Sequence, residues 1–141
     1  VAASAPPQVG LLLFAHGARD QRWAEPFLAV RAAVQDAKPE LPVELAFLEL
    51  MQPDLAAGVK VLVQAGCKQI RVVPLFLGEG SHLRRDLPAL IEAQKALYPE
   101  LSLTVSRAAG EAPAVLLALA DYCLAEASVG LSPPEKLKGP G

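Results

Sequence analysis

VGLLLFAHGARD, from Val9 to Asp20, changes character at a single residue: an unbroken apolar run from Val9 to Ala15 gives way at His16 to a short polar loop. A run of that length is short for a helix and suits a strand covered on both faces, as in a parallel sheet. Similar runs span Val43–Leu48, Ile70–Leu77 and Leu101–Ser106, so the sequence predicts four strands. Between and after them, apolar residues recur at helical spacing: Phe27, Val30 and Val34; Leu55, Val59, Leu62 and Val63; Leu87, Leu90, Ile91 and Leu97; Val115, Leu116, Leu119 and Cys123. Pro26, Pro53, Pro88 and Pro113 fall near the starts of these patterns, where a missing N–H costs little. Asp86 reads as the N-cap of the third helix, while Gly66 and the Tyr98-Pro99 pair mark the ends of the second and third. Strands alternating with helices imply right-handed crossovers and an α/β three-layer sandwich around a four-stranded parallel sheet.

Composition narrows the function classes. A chain of 141 residues, 52% hydrophobic, is long enough for one well-filled core. The net charge of −2 supplies no broad basic field, which argues against a nucleic-acid partner. No apolar run approaches the roughly 20 residues that a membrane helix needs. The opening residues lack the basic and apolar regions of a secretory signal, so the expected location is cytoplasmic. Cys67 and Cys123 lack the paired spacing of zinc or redox sites and read as reduced, buried thiols in helical surroundings. The periodic patterns place one domain over residues 9–127, flanked by expected mobile tails at 1–8 and 128–141.

The loops after strand carboxyl ends emerge along one edge of a parallel sheet, and that edge collects the chemistry. His16 and His82 are the only histidines in the chain, and each lies just past a strand pattern. Glu49 follows the second strand, within AFLELMQP. Two neutral imidazoles and a carboxylate suit Co²⁺, Fe²⁺, Ni²⁺ or Zn²⁺, and leave coordination positions open for a substrate. Anionic ligands would be met by Arg19 of the first loop, and by Gly80, Ser81, Arg84 and Arg85 of a glycine-rich third loop, LGEGSHLRRD. That loop lacks the phosphate-loop and dinucleotide glycine patterns, so no nucleotide cofactor is expected. Ser81 beside His82 lacks the GxSxG elbow of a hydrolase.

FAHGARD, VELAFLELMQPDL and IRVVPLFLGEGSHLRRDLPAL, in that order, resemble the short, single-domain sirohydrochlorin chelatases, that is, the small CbiX-type cobaltochelatases and their SirB-type ferrochelatase relatives. Many members carry HGSRD where this chain has HGARD, so Ala18 removes a hydroxyl but none of the expected ligands. The resemblance implies a chelatase-like domain equal to half of the two-domain chelatases. It also implies insertion of a divalent metal substrate, Co²⁺ foremost with Fe²⁺ or Ni²⁺ as alternatives, into sirohydrochlorin for cobalamin or sirohaem synthesis. Metal handling falls to the histidines at His16 and His82, and the short forms act as homodimers in which the partner helps to wall the cleft.

Two other classes share parts of this pattern. A carrier that binds metal or tetrapyrrole without turnover would use the same residues. A phosphotransferase using His16 as nucleophile would need an arginine before the HG pair, where this chain has Ala15.

Overall fold

The computed structural model describes residues 8–78 and 80–129, the side chains of Ser81 and His82 excepted. Strand β1 (Gln8–Ala15) lies inside a four-stranded parallel sheet of order β2-β1-β3-β4, with β2 at Val43–Phe47, β3 at Cys67–Pro74 and β4 at Ser102–Val105. The helices are α1 (Glu25–Ala37), α2 (Leu55–Gln64), α3 (Ser81–Leu97) and α4 (Pro113–Ser128), and short 3₁₀ turns occupy Gln21–Ala24 and Ala109–Glu111.

Strand order dictates which face each helix takes. From β1 the chain steps one way to β2, then back across β1 to β3 and onward to β4. Right-handed crossovers therefore put α1 on one face and α2 and α3 on the other. The side chains sort accordingly. Leu12, Phe14, Ala46, Ile70, Val72 and Leu103 point into a core with Leu55, Val59 and Leu62 of α2 and Leu83, Leu87 and Ile91 of α3. Leu13, Ala15, Val43, Leu45 and Phe47 point the other way, toward Phe27 and Val34 of α1. Arg31 fastens α1 to the edge strand by donating to the Val43 carbonyl at 3.0 Å and to the Glu44 carboxylate at 2.7 Å.

Local signals explain most element ends. Asp54 caps α2 by accepting from the Ala57 N–H at 2.9 Å. Gly66 follows that helix with φ +95°, a conformation that favours glycine. Pro26 sits in the first turn of α1 and Pro113 in that of α4.

Several expectations are corrected. Helix α3 starts at Ser81 with Gly80 as N-cap, so Asp86 is an interior helical residue and Pro88 lies inside the helix. Ser81, His82, Arg84 and Arg85 accordingly belong to the opening turns of α3, not to a long loop. Strand β3 starts and ends three residues earlier than its apolar run suggests: Leu75 still donates to the Phe14 carbonyl at 2.7 Å, and Leu75 and Phe76 past the strand end pack against the two cores. Cys67 opens β3 and is buried, with its thiol pKa pushed up by desolvation, whereas Cys123 is exposed on α4. Of the expected tails at 1–8 and 128–141, Gln8 opens β1 and Ser128 ends α4, and residues 1–7 and 130–141 lie outside the described residues; no described helix is long and apolar enough to cross a membrane.

Helix α2 approaches the sheet through Gly58, where an added Cβ would lie 2.7 Å from Leu12 Cδ1 and 3.3 Å from the Ala46 Cβ. Gly58→Val is expected to lower stability by about 1–3 kcal/mol through overpacking, measured as a shift of the urea midpoint at unchanged slope.

Candidate functional site

The strand order opens a crevice at the sheet's carboxyl edge. The connection after β1 leaves toward one face and the connection after β3 toward the other, so the space above these two neighbouring strands is covered by neither. His16 is the first residue after β1, Glu49 the second after β2, and α3 starts at the seventh residue after β3.

Backbone contacts bring the first two together. Ala15 O accepts from Leu48 N–H at 2.8 Å, which carries the β1–β2 ladder one step past Phe47. Gly17 then lies so close to the Glu49 carbonyl that a Cβ there would collide with it and with the Met51 nitrogen at 3.2 Å. The second loop is itself tightly turned: Glu49 O accepts from Met51 N–H at 2.8 Å, and Leu50 takes φ 66°. The result sets His16 Nδ1 3.5 Å from Glu49 Oε1, with side-chain exposures of 43% and 44%. Both groups thus reach solvent while facing each other.

Two aromatic residues fix the histidine. The ring of Phe76, buried against Phe14, supports the imidazole at a centroid distance of 4.6 Å. From the other side Trp23 Nε1–H donates to the His16 carbonyl at 2.7 Å, and its ring packs on Phe27 of α1. Asp20 holds the same segment by capping the first 3₁₀ turn: its carboxylate accepts from the Arg22 N–H and guanidinium, which lowers its pKa. This role of Trp23 has no trace in the residue pattern, since a hydrogen bond to a backbone carbonyl leaves no spacing signature.

His16 and Glu49 line a cavity of about 540 Å³ completed by Leu48 and, from α3, by Asp86, Ala89 and Leu90. Asp86 is a site-lining residue that the N-cap reading concealed. Once α3 starts at Ser81, Asp86 falls four residues after His82, and that spacing places both on one helix face. The His82 side chain lies outside the described residues, and its backbone occupies the second position of α3. Among the described residues no three metal-ligating side chains form a cluster, so His16 and Glu49 stand as a pair.

The remaining expected binding residues divide. Arg19 and Arg85 are exposed, and Gly80 is the N-cap of α3. The backbone N–H groups of residues 81 and 82 precede the first intrahelical bonds, which run from Leu83 and Arg84 to the Gly80 carbonyl. Arg84 lines a separate groove between α3 and β4, with Leu87, Pro88, Ile91 and Val105. Met51, Phe76 and Leu83 near these loops are buried in the cores, while Leu50 and Leu77 are exposed.

The family model CbiX matches residues 10–124. Among curated proteins, the sirohydrochlorin cobaltochelatase of Sulfolobus acidocaldarius is 37% identical over 57% of this chain and 63% of its own length. That of Sulfurisphaera tokodaii is 34% identical over 62% of this chain and 72% of its own length. The match thus spans a little under two thirds of the first of these relatives. Among solved structures, a CbiX protein from Marinobacter aquaeolei VT8 superposes with a TM-score of 0.75 at 33% identity, covering 84% of this chain and 97% of that one. Sirohydrochlorin chelatase SirB from Bacillus subtilis subspecies spizizenii, in complex with cobalt, gives 0.68 at 27% identity over 84% of this chain but 50% of its own.

The Gly17 contact yields a direct expectation. Gly17→Ala should push the two loops apart and weaken Co²⁺ binding at least tenfold by titration calorimetry, with far-UV circular dichroism retained. Trp23→Phe, which keeps the ring but not the donor, should have a smaller effect.

Proposed function

This chain belongs to the CbiX family, and on that premise we propose that it is a sirohydrochlorin chelatase. It inserts a divalent metal, Co²⁺ foremost and Fe²⁺ as the alternative, into the tetrapyrrole for cobalamin or sirohaem synthesis. The observation that carries the reading is the facing pair His16 and Glu49, half exposed just after β1 and β2 and lining one cavity with Asp86, Ala89 and Leu90 of α3. Residues 9–127 form the working domain, acting in the cytoplasm as one half of a homodimer.

The chemistry sets the demands. A hydrated ion must shed water, the macrocycle must expose its nitrogen lone pairs, and both inner pyrrolic protons must leave. His16, Glu49 and His82 supply two imidazoles and one carboxylate, a donor set that binds first-row ions with open positions and without the grip of thiolates. Grip matters because an ion held too tightly is not passed on, and binding energy that favours the ground state slows transfer. The 3.5 Å gap between His16 and Glu49 lets one ion engage both groups, or lets the carboxylate take up a departing proton. Phe76 beneath the imidazole and Trp23 on the His16 carbonyl hold that ligand in place.

Substrate carboxylates would meet Arg19, Arg85 and the free N–H groups at the start of α3, where the helix dipole also favours anions. Arg84 can join them from the first turn of the same helix. Leu48 and Leu90, with the exposed Leu50 and Leu77, provide apolar surface for the ring face.

Anaerobic incubation with sirohydrochlorin and Co²⁺, Fe²⁺ or Ni²⁺ in turn, followed by absorbance, tests the reading. The wild type should give multiple turnovers with at least one ion. His16→Ala and His82→Ala should each cut the catalysed rate by about 10²-fold or more, and Glu49→Gln by at least tenfold, with melting curves unchanged. A single stoichiometric round without turnover would assign the protein to metal or tetrapyrrole carriage instead.

A further inference from the structure

Among the described residues, Leu50 is the only one other than glycine with a positive φ, 66°. Glu49 O accepts from Met51 N–H at 2.8 Å across it, so residues 49–51 form a γ-turn of the strained, positive-φ kind. Glycine enters such a turn freely and asparagine tolerates it, whereas a leucine brings its Cβ against its own backbone. The side chain gains little in return. It is 61% exposed and joins neither core.

The turn itself has an evident cause. Leu48 packs against the core on the α2 face and Met51 is buried in the core on the α1 face, so the chain crosses from one side of the sheet to the other through Glu49 and Leu50 alone. Leu48 N–H is held by Ala15 O at 2.8 Å, and the Glu49 carbonyl lies against Gly17. Anchors of this kind can hold a strained residue in place. They dictate a tight turn but not a leucine, since glycine would serve the fold better. A bulky apolar side chain kept in water on a strained backbone points to a use outside the folded chain.

Its surroundings say which use. Leu50 directly follows Leu48 and Glu49, which line the cavity with His16. The sheet order β2-β1-β3 sets the connection carrying Leu50 and the one carrying Leu77 on either side of His16. Leu77 is 68% exposed, and Gly110 lies against its carbonyl with no room for a Cβ while donating its N–H to Phe76 O at 2.8 Å. On both flanks, then, a glycine contact fixes a carbonyl, and a leucine at or next to that carbonyl stands in water. A tetrapyrrole carries its carboxylates on the rim and leaves an apolar face, the part that such side chains complement.

We propose that Leu50 is the residue that seats the macrocycle: the ring face covers its side chain when sirohydrochlorin binds, with Leu77 on the far flank, and the strained turn persists because it displays that side chain beside the Glu49 carboxylate. Leu50 thereby sets the position and affinity of the ring and does not touch the metal. The inference rests on the sirohydrochlorin reading above and deepens it by naming the side chain that recognises the ring instead of its carboxylates or the ion.

The test reads three quantities on the full chain: anaerobic sirohydrochlorin affinity from quenching of Trp23 emission in the absence of metal, Co²⁺ affinity by titration calorimetry, and melting temperature. Leu50→Gly and Leu50→Asn should each weaken sirohydrochlorin binding about tenfold, the worth of covering the exposed part of one leucine. Co²⁺ affinity should be unchanged, because both replacements accommodate the turn that aims Glu49. Melting temperatures should lie at or above the wild-type value, since strain is relieved and little packing is lost. Leu50→Met, which keeps the apolar reach, should bind sirohydrochlorin as the wild type does. Undiminished sirohydrochlorin affinity in Leu50→Gly would overturn the seat while leaving the chelatase reading standing. A fall in Co²⁺ affinity or melting temperature would also overturn it, by showing the leucine to be structural, and a wild type that binds no sirohydrochlorin would overturn both readings.

Discussion

The contact between Gly17 and the carbonyl of Glu49 is the constraint on which the site depends. Two loops from neighbouring parallel strands normally diverge, because their side chains need room and each continues to its own helix. Here the absence of one Cβ lets the backbones touch, and the tight turn at Glu49–Met51 then aims a carboxylate at the imidazole one residue before the glycine.

Much of the fold was legible because a parallel sheet writes itself as apolar runs. β1 was clear to within a residue, since from Gly10 to Ala15 every position is buried or, at Leu11, half-buried. β3 was less clear for a physical reason. Its own face pattern alternates, with Lys68, Gln69 and Arg71 exposed, while the apolar Leu75 and Phe76 that follow are buried outside the ladder. The sequence therefore shifted the strand toward the more continuous hydrophobicity. The third helix was misplaced by the weight given to Pro88, which sits inside it, over the plain glycine at its true N-cap.

At the site, His16 and Glu49 could be picked out because charged or ionisable residues directly after buried strands land on the same edge. Their mutual distance could not, since it depends on backbone proximity that has no letter code. Asp86 was visible as an acid but in the wrong role, and its true position emerges only from the start of α3. Trp23 carries no signal of its role in the sequence. Its hydrogen bond to His16 O spans seven residues through a capped 3₁₀ turn, a geometry that Asp20 and Arg22 create together. Met51, Phe76 and Leu83 follow the opposite logic: close to the site loops, they are claimed by the two cores.

Trp23 is the sole tryptophan of the chain, and its indole is tethered to the backbone of the very residue that faces Glu49. Nearly half of its surface remains in contact with solvent. Emission excited at the red edge, where the two tyrosines do not absorb, therefore originates at one point, beside the carbonyl of His16, and reports the polarity and hydrogen bonding of that point alone. The molecule carries its own optical gauge of what happens at His16, with no label and no second fluorophore of its kind to obscure the reading.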